Sequence, residues 1–142
     1  MDNLDYGVIG NCRTAALVSK SGSIEWLCLP EFDSPSIFAA ILDKNIGGSL
    51  SFVVSEDYKT SQRYIAGTNI LCTTFESEEG AFEVLDFMPR YKTGENSDEY
   101  YLPAELYRYV RLLRGEPLFR VNYSPALEIG RAHVWTPVTE YD

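Results

Sequence analysis

Adjacent carboxylates are the side chains in this sequence whose spacing comes closest to hydrolytic chemistry. Acid–base cleavage of a glycosidic bond needs one protonated and one ionised carboxyl group, about 6.5–9.5 Å apart for inversion, on facing walls of a pocket. Three adjacent pairs occur in predicted turns: Glu56-Asp57, Glu78-Glu79 and Asp98-Glu99. Neighbouring turn residues point apart and stay solvated, so neither carboxyl has its pKa raised. We therefore expect no catalytic residue in this chain.

The sequence also offers few histidine and cysteine side chains for nucleophilic or metal-binding chemistry. The single histidine, His133, lies in a C-terminal segment that we interpret below as foreign, so a Ser or Cys nucleophile would lack its usual base. The three cysteines Cys12, Cys28 and Cys72 are odd in number and have no CxxC spacing. This usage favours buried thiols in a reducing compartment, although one disulfide remains possible. We expect no metal site, no cofactor and a cytoplasmic location.

The first third of the chain predicts a β-hairpin, a loop and a short helix. Residues 14–19 and 23–29 alternate as strands around a turn at 20–22, and Pro30 ends the second strand. In that strand Ile24, Trp26 and Cys28 are predicted to share one face, opposite residues 25, 27 and 29. A helix over 35–43 would be capped by Asp33 or Ser34. Its predicted buried stripe comprises Ile37, Phe38, Ile41 and Leu42.

The rest of the chain predicts β-structure throughout. Strands are expected at 49–55, in a hairpin of 70–76 with 81–88, and in another of 106–113 with 118–123 around a turn at 114–117. The polar, acidic stretch 91–103 predicts an exposed loop. Many short strands separated by Gly and Pro turns are typical of a sandwich or a barrel. The fold class is therefore mostly β, an antiparallel β-sandwich with one short helix near 35–43.

Composition agrees with a globular domain and excludes several partners. The 142 residues are 45% hydrophobic and 13% aromatic, which is enough apolar material for one core. A formal net charge of −9 argues against nucleic acid and against an anionic membrane surface, because both are bound through Lys and Arg. Residues 1–5 do not read as a signal peptide, and no stretch approaches the length of a spanning helix.

Seven segments in order resemble the opening of the family 15 glycoside hydrolases, the glucoamylase and trehalase-like enzymes. They are residues 10–18 (GNCRTAALV), 22–30 (GSIEWLCLP), 32–35 (FDSP), 38–39 (FA), 62–64 (QRY), 67–69 (GTN) and 86–89 (DFMP). The resemblance covers the chain up to about Glu128. It departs from the family at Glu31, where the common form has arginine before Phe-Asp.

The resemblance implies that this chain supports catalysis by another domain and does not itself catalyse the reaction. It implies that residues 1–128 are an incomplete, non-catalytic N-terminal β-sandwich domain that precedes an (α/α)₆ catalytic barrel. That barrel would carry the two catalytic carboxylates and bind the α-glucan or disaccharide substrate. Whether the substrate is a starch-like glucan, a dextrin or trehalose would be decided there.

The C-terminal segment 129–142 is interpreted as a non-native tail. Codons able to encode residues 128–139 are similar to a common sequencing-library adapter, with one base changed at Trp135, where the adapter would read a stop. The family resemblance ends at the same point. The alternative is a real, divergent strand.

The best site candidates are Arg13, Trp26, Phe32 and Asp33. An aromatic ring and an acid on a loop after a strand can form the edge of a sugar pocket, or a docking point, that the catalytic domain completes. The structural alternative, which we favour for Trp26, places that side chain in the core. In the same alternative Asp33 caps the helix, Phe32 packs the loop on the sheet, and Arg13 pairs with an acid at position 33 or 25.

Three functions remain open on the sequence. The first is the supporting and docking module just described. The second is a free-standing carbohydrate-binding β-sandwich, which needs a row of exposed aromatic rings, and the available ones are Tyr100, Tyr101, Tyr107 and Tyr109. The third is a structural β-domain without a ligand. An apolar face left uncovered would favour the first function, and a flat polar face with parallel rings would favour the second.

Overall fold

The computed structural model describes residues 5–126, and these residues form twelve β-strands and no helix. The strands are β1 (Tyr6–Gly10), β2 (Ala15–Ser19), β3 (Ile24–Cys28), β4 (Ser36–Phe38), β5 (Gly48–Val53), β6 (Lys59–Tyr64), β7 (Leu71–Glu76), β8 (Gly80–Phe87), β9 (Tyr91–Lys92), β10 (Tyr100–Tyr101), β11 (Tyr107–Gly115) and β12 (Arg120–Pro125). The predicted tail, 129–142, lies outside the described residues.

Two antiparallel sheets form a sandwich. Sheet 1 has the strand order β1-β2-β3-β5-β12, with β4 added beside the end of β3. Sheet 2 has the order β11-β8-β7-β6, and β9 and β10 form a separate two-residue ladder. The β-sandwich prediction is therefore confirmed, as is the hairpin of β7 with β8.

The core lies between the sheets in two clusters. The first cluster contains Ile24 and Phe38 of sheet 1 together with Leu71 and Met88 from the side of sheet 2. In the second, Phe52 of sheet 1 lies 6.2 Å from Phe75 and 6.3 Å from Phe82 of sheet 2, measured between ring centroids. Phe75 and Phe82 are 1% exposed. Burial of such rings is the main favourable term that holds the sheets together.

A buried ion pair joins the sheets beside this core. Arg108 on β11 donates from Nε and Nη2 to the two carboxylate oxygens of its cross-strand neighbour Asp86, at 2.6 and 2.9 Å. Its remaining donors reach sheet 1, at the carbonyl oxygens of Leu50 (2.9 Å) and Gly22. The side chains of Arg108 and Asp86 are 7% and 0% exposed. One guanidinium therefore ties β8 and β11 to β5 and to the β2–β3 turn.

The predicted helix over 35–43 is absent. Residues 36–38 instead form β4, which pairs with the end of β3, and the chain then turns through residues 39–47. Phe38 is buried as expected, but Leu42 is 76% exposed. The proline at position 35 suits a helix start and a strand entry equally, so the open edge at the end of β3 decided the outcome.

The predicted faces of β3 are also wrong. A bulge in the β2–β3 pairing matches Val18 with Ile24 but Leu17 with Trp26. The extra residue breaks the alternation, so Ile24, Leu27 and Cys28 are all buried while Trp26 is only half-buried. Trp26 is thus outside the buried core that we favoured for it.

The predicted hairpin of 106–113 with 118–123 does not form. Both strands exist, but β11 pairs with β8 and β12 pairs with β5. Residues 116–119 cross from sheet 2 to sheet 1, and no described strand pairs with the second edge of either β11 or β12. A turn signal between two strands indicates a reversal of the chain and carries no information about which strands pair.

The sandwich core is open along β11 and β12. Val110 and Leu112 pair with the buried Val84 and Phe82, so they face the interior, yet they are 36% and 63% exposed. On β12, Val121 pairs with the buried Phe52 and is 50% exposed. Within residues 5–126, the apolar side chains that face the interior at this edge are therefore only partly covered.

Candidate functional site

Four of the sequence segments singled out above meet at one end of the sandwich. They surround a cleft of about 340 Å³ between the β1–β2 turn, the loop after β3, the β6–β7 turn and the end of β8. The lining residues are Val8, Gly10, Cys12, Thr14, Ala15, Phe32, Asn69, Ile70, Phe87, Met88 and Arg90. Segments distant in sequence are thus brought together by the sheet topology.

The β1–β2 turn is held by the side chain of Asn11. Its Oδ1 accepts hydrogen bonds from the backbone N–H groups of Arg13 (2.9 Å) and Thr14 (3.0 Å), as in an Asx turn. Its amide donates to the carbonyl oxygen of Pro103 at 3.0 Å, and the residue is fully buried. Cys12, at the tip, has φ of 76°, a left-handed conformation that non-glycine residues seldom adopt. The turn geometry is therefore tightly determined.

Arg13 braces the loop that follows β3. Its guanidinium donates to the carbonyl oxygen of Leu102 and to the carboxylate of Glu31, both at 2.9 Å. The carbonyl oxygen of Arg13 accepts from the backbone N–H of Phe32 at 3.1 Å. The expected partners of Arg13, the acids at 33 and 25, are replaced by Glu31. Arg13 thus positions the loop over residues 30–34.

The other three candidates line a second, open depression of about 420 Å³. Trp26 from β3 lies there with Phe32 and Asp33 from the loop. Phe32 is 62% exposed and borders both this depression and the cleft, so it does not pack the loop onto the sheet. Asp33 is exposed and caps no helix, since none forms. The structure therefore brings Trp26, Phe32 and Asp33 together, and Arg13 is hydrogen-bonded to the loop that carries Phe32 and Asp33.

The carboxylates that could have formed a catalytic pair do not. Both members of each adjacent pair, at 56–57, 78–79 and 98–99, are exposed as predicted. Two other acids, Glu83 and Asp86, are buried, but they lie three residues apart on β8 and so face opposite sides of the sheet. Each is held by an arginine, Glu83 by Arg111 and Asp86 by Arg108.

The pKa values of these two buried acids are shifted in opposite directions. Burial raises the pKa of Asp86 above the usual aspartate value, and the hydrogen bonds and charge of Arg108 offset only part of that rise. Burial also opposes ionisation of Glu83, but hydrogen bonds from Cys72 and Arg111 hold its pKa below the usual value. Neither acid lines the cleft or the depression, so both belong to the framework.

The arrangement is suited to contact rather than to bond cleavage. The exposed ring of Phe32 and the carboxylate of Asp33 on a braced loop, beside the half-buried Trp26, can pack against a partner or a neutral polar ligand. Residues 5–126 contain no group of three or more His, Cys, Asp or Glu placed to hold a metal ion. None of these residues forms a helix able to span a membrane.

Sequence reasoning missed the contacts that position this site. The carbonyl oxygens of Leu102 and Pro103 anchor Arg13 and Asn11 across some ninety residues, and the prediction treated 91–103 as an exposed loop. Backbone acceptors leave no mark on a sequence. The signal for the Asn11 turn was present, since asparagine after glycine favours a turn, but its long-range partner was not.

Comparison with known proteins gives a consistent result. The family model described as "Trehalase-like, N-terminal" matches residues 5–140. Trehalase 1 of Sulfolobus acidocaldarius is 48% identical over 83 residues, 58% of this chain and 14% of the relative. The trehalase of Thermoplasma volcanium is 36% identical over 141 residues, 96% and 21% of the two chains. That of Mycobacterium tuberculosis is 38% identical over 82 residues, 58% and 12%.

The chain thus spans between 12% and 21% of the length of these three relatives. No solved structure matches the chain.

Proposed function

Because this chain belongs to the family of trehalase-like N-terminal domains, we propose that it is the supporting and docking domain of a glycoside hydrolase. The catalytic part of that enzyme lies outside these 142 residues. The relatives that share the domain are trehalases several times its length. The proposal assigns this chain no acid–base pair of its own. The partner of this domain is the (α/α)₆ barrel that the family resemblance implies.

The open core carries this proposal. Val110, Leu112 and Val121 face the space between the sheets but are left between one-third and two-thirds exposed. Residues 5–126 by themselves leave this apolar layer in water, at about 25 cal/mol for each Å². Apolar patches of this kind mark surfaces that other protein covers. Further polypeptide of the same enzyme, added at the free edges of β11 and β12, would close the core.

Trehalose is the substrate that we propose for the whole enzyme, ahead of starch-like glucans and dextrins. The relatives named above are described as trehalases, and none of those names refers to glucoamylase. Specificity would reside in the catalytic part, because the residues described here offer no enclosed sugar pocket.

A free-standing carbohydrate-binding module is the weaker alternative. It requires a flat row of exposed rings, and Tyr101 and Tyr107 are indeed 59% and 44% exposed. However, each of them stacks on a cross-strand partner, Tyr91 and Phe87 respectively, with interplanar angles of 21° and 9°. The rings in each pair are nearly parallel, but each covers one face of the other, whereas a sugar platform needs ring faces that lie side by side and open to the ligand.

We expect the isolated chain to release no glucose from trehalose, maltose or maltodextrin, whereas the full-length parent enzyme hydrolyses trehalose. The reason is that no two carboxyl groups among the described residues face each other across a pocket. Glucose release by a coupled assay is the measurement. Activity that follows the purified chain and is lost on changing one of its own carboxylates would contradict the proposal.

The loop over residues 30–34 is proposed to lie at the interface with the catalytic part. In the full-length enzyme Asp33→Ala should lower turnover or weaken docking severalfold, because Asp33 projects from a loop that Arg13 holds in place. Glu95→Ala, an exposed acid on the 93–99 loop, is the matched control. Steady-state kinetics of the two variants is the measurement, and equal effects would refute this placement.

Two predictions about the chain remain proposals. A cytoplasmic location is supported by three cysteines that are all free thiols. A domain boundary at residue 128, with a foreign segment over 129–142, rests on the adapter-like codons, whereas the family match runs on to residue 140. The nucleotide sequence past codon 128 in the source genome decides between a native and a foreign segment.

A further inference from the structure

The outer face of sheet 2 is unusually apolar for a surface that faces away from the core. Tyr107 and Tyr109 of β11 pair with Phe87 and Leu85 of β8 on this face, and we call these four residues the tyrosine face. Tyr107 and Tyr109 are 44% and 58% exposed. Tyr107 stacks on Phe87 with centroids 5.4 Å apart, so the rings form one contiguous patch.

Strand β12 shows what an outer face in contact with water looks like in the same molecule. It alternates apolar inner residues with polar outer ones, and the outer ones are Arg120, Asn122 and Ser124. Strand β11 instead carries tyrosines on its outer face and Val110 and Leu112 on its inner face. Each face of β11 also carries an arginine, Arg111 outside and Arg108 inside, but large apolar or aromatic side chains on both faces are typical of a strand covered on both faces. Among residues 5–126, therefore, none form a layer that covers the tyrosine face.

Charged side chains of both signs surround the tyrosine face, and the arginines among them, Arg63 and Arg111, are exposed. The guanidinium of Arg111, beside Tyr109, is 53% exposed although it also binds the buried carboxylate of Glu83. Arg63 is exposed on β6 and pairs across the strands with Cys72, which pairs with Leu85 of the tyrosine face. Glu105, which accepts a hydrogen bond from the Tyr107 hydroxyl at 2.9 Å, is the acid at the opposite border.

We propose that the tyrosine face docks the catalytic part of the same enzyme, which covers Tyr107 and Tyr109 with apolar side chains and directs carboxylates toward Arg63 and Arg111. The inference rests on the proposed function, since it takes its occupant from the polypeptide that makes up most of each relative. It is separate from the open core, because residues on the two faces of β11 point in opposite directions.

Hydroxyl-radical footprinting read by mass spectrometry tests this surface without altering the protein. The full-length parent enzyme and the isolated chain are oxidised side by side. Tyr109 should be oxidised about tenfold more slowly in the full-length enzyme, as for a contact that opens in about one molecule in ten. Leu42, which is 76% exposed on the 39–47 turn, is the control and should react alike in both. Equal oxidation of Tyr109 in the two proteins would overturn the inference.

A charge variant tests the chemistry of the partner. Arg63→Glu in the full-length enzyme should return Tyr109 toward the oxidation rate of the isolated chain, because it places a carboxylate against carboxylates. Val53→Glu, on the outer face of sheet 1 and 40% exposed, should leave that rate unchanged. Protection that survives Arg63→Glu would refute the acidic partner surface. Trehalose hydrolysis by the wild-type enzyme is scored separately, so a failed docking surface and a failed proposed function give different results.

Discussion

Replacing Arg108 with methionine is expected to destabilise the domain by about 3–5 kcal/mol, the cost of leaving a buried charge without its partner. The guanidinium that is lost holds Asp86 through two hydrogen bonds and also binds two carbonyl oxygens of sheet 1. Asp86 would remain fully buried, and its carboxyl group would have to take up a proton. Urea unfolding followed by circular dichroism gives the loss of stability from the midpoint.

Two further variants separate the buried pair from charge in general. Lys20→Met removes a surface ion pair, with Lys20 Nζ 3.4 Å from Asp5 and both side chains more than half exposed, and should cost at most about 1 kcal/mol. The double change Arg108→Met with Asp86→Leu should recover part of the loss, because no unpaired charge is then buried. Equal losses for Arg108→Met and Lys20→Met would contradict the role assigned to Arg108.

Cysteines placed at Leu112 and Val121 are expected to react rapidly with a thiol reagent in the isolated chain and about 100-fold more slowly in the full-length enzyme. Both side chains face the interior but are at least half exposed here, so they are covered only if further polypeptide closes the core. Burial that has to open at a cost of about 3 kcal/mol gives protection of that size.

The sandwich was predictable because its signals are local. Alternation with a period of two and turns rich in Gly and Pro mark most of the longer strands, and the β7–β8 hairpin follows from a four-residue turn between two such runs. Pairing at a distance was not predictable. Strands β11 and β12 look like a hairpin in sequence, but each extends a different sheet, β11 by pairing with the edge of β8 and β12 by pairing with the edge of β5.

The failed helix has a similar cause. Asp33, Pro35 and the apolar residues at 37, 38, 41 and 42 satisfy the rules for a capped amphipathic helix. Backbone donors and acceptors at the end of β3 also need partners, and β4 supplies them by pairing Phe38 with Leu27 and Ser36 with Cys28. Tertiary pairing therefore overrode a local preference that was itself correctly identified.

The candidate site residues remain a prediction, but the structure shows how three of them are placed. Trp26, Phe32 and Asp33 do share one depression, since the loop after β3 folds back beside that strand. The exposure of Trp26 depends on one bulge in the β2–β3 pairing, and a single extra residue leaves no clear mark in sequence. The partner of Arg13 could not be chosen among nearby acids, because the choice depends on where Leu102 places its carbonyl oxygen.

Site-specific thiol labelling is the most direct test of the central claim that this domain is completed by the rest of an enzyme. Leu112→Cys and Val121→Cys are labelled in the isolated chain and in the full-length enzyme, with Leu42→Cys as the exposed control and each site read by mass spectrometry. The account predicts that positions 112 and 121 become protected in the full-length enzyme while position 42 does not. Equal labelling of positions 112 and 121 in the two proteins would show that the core stays open and that the account is wrong.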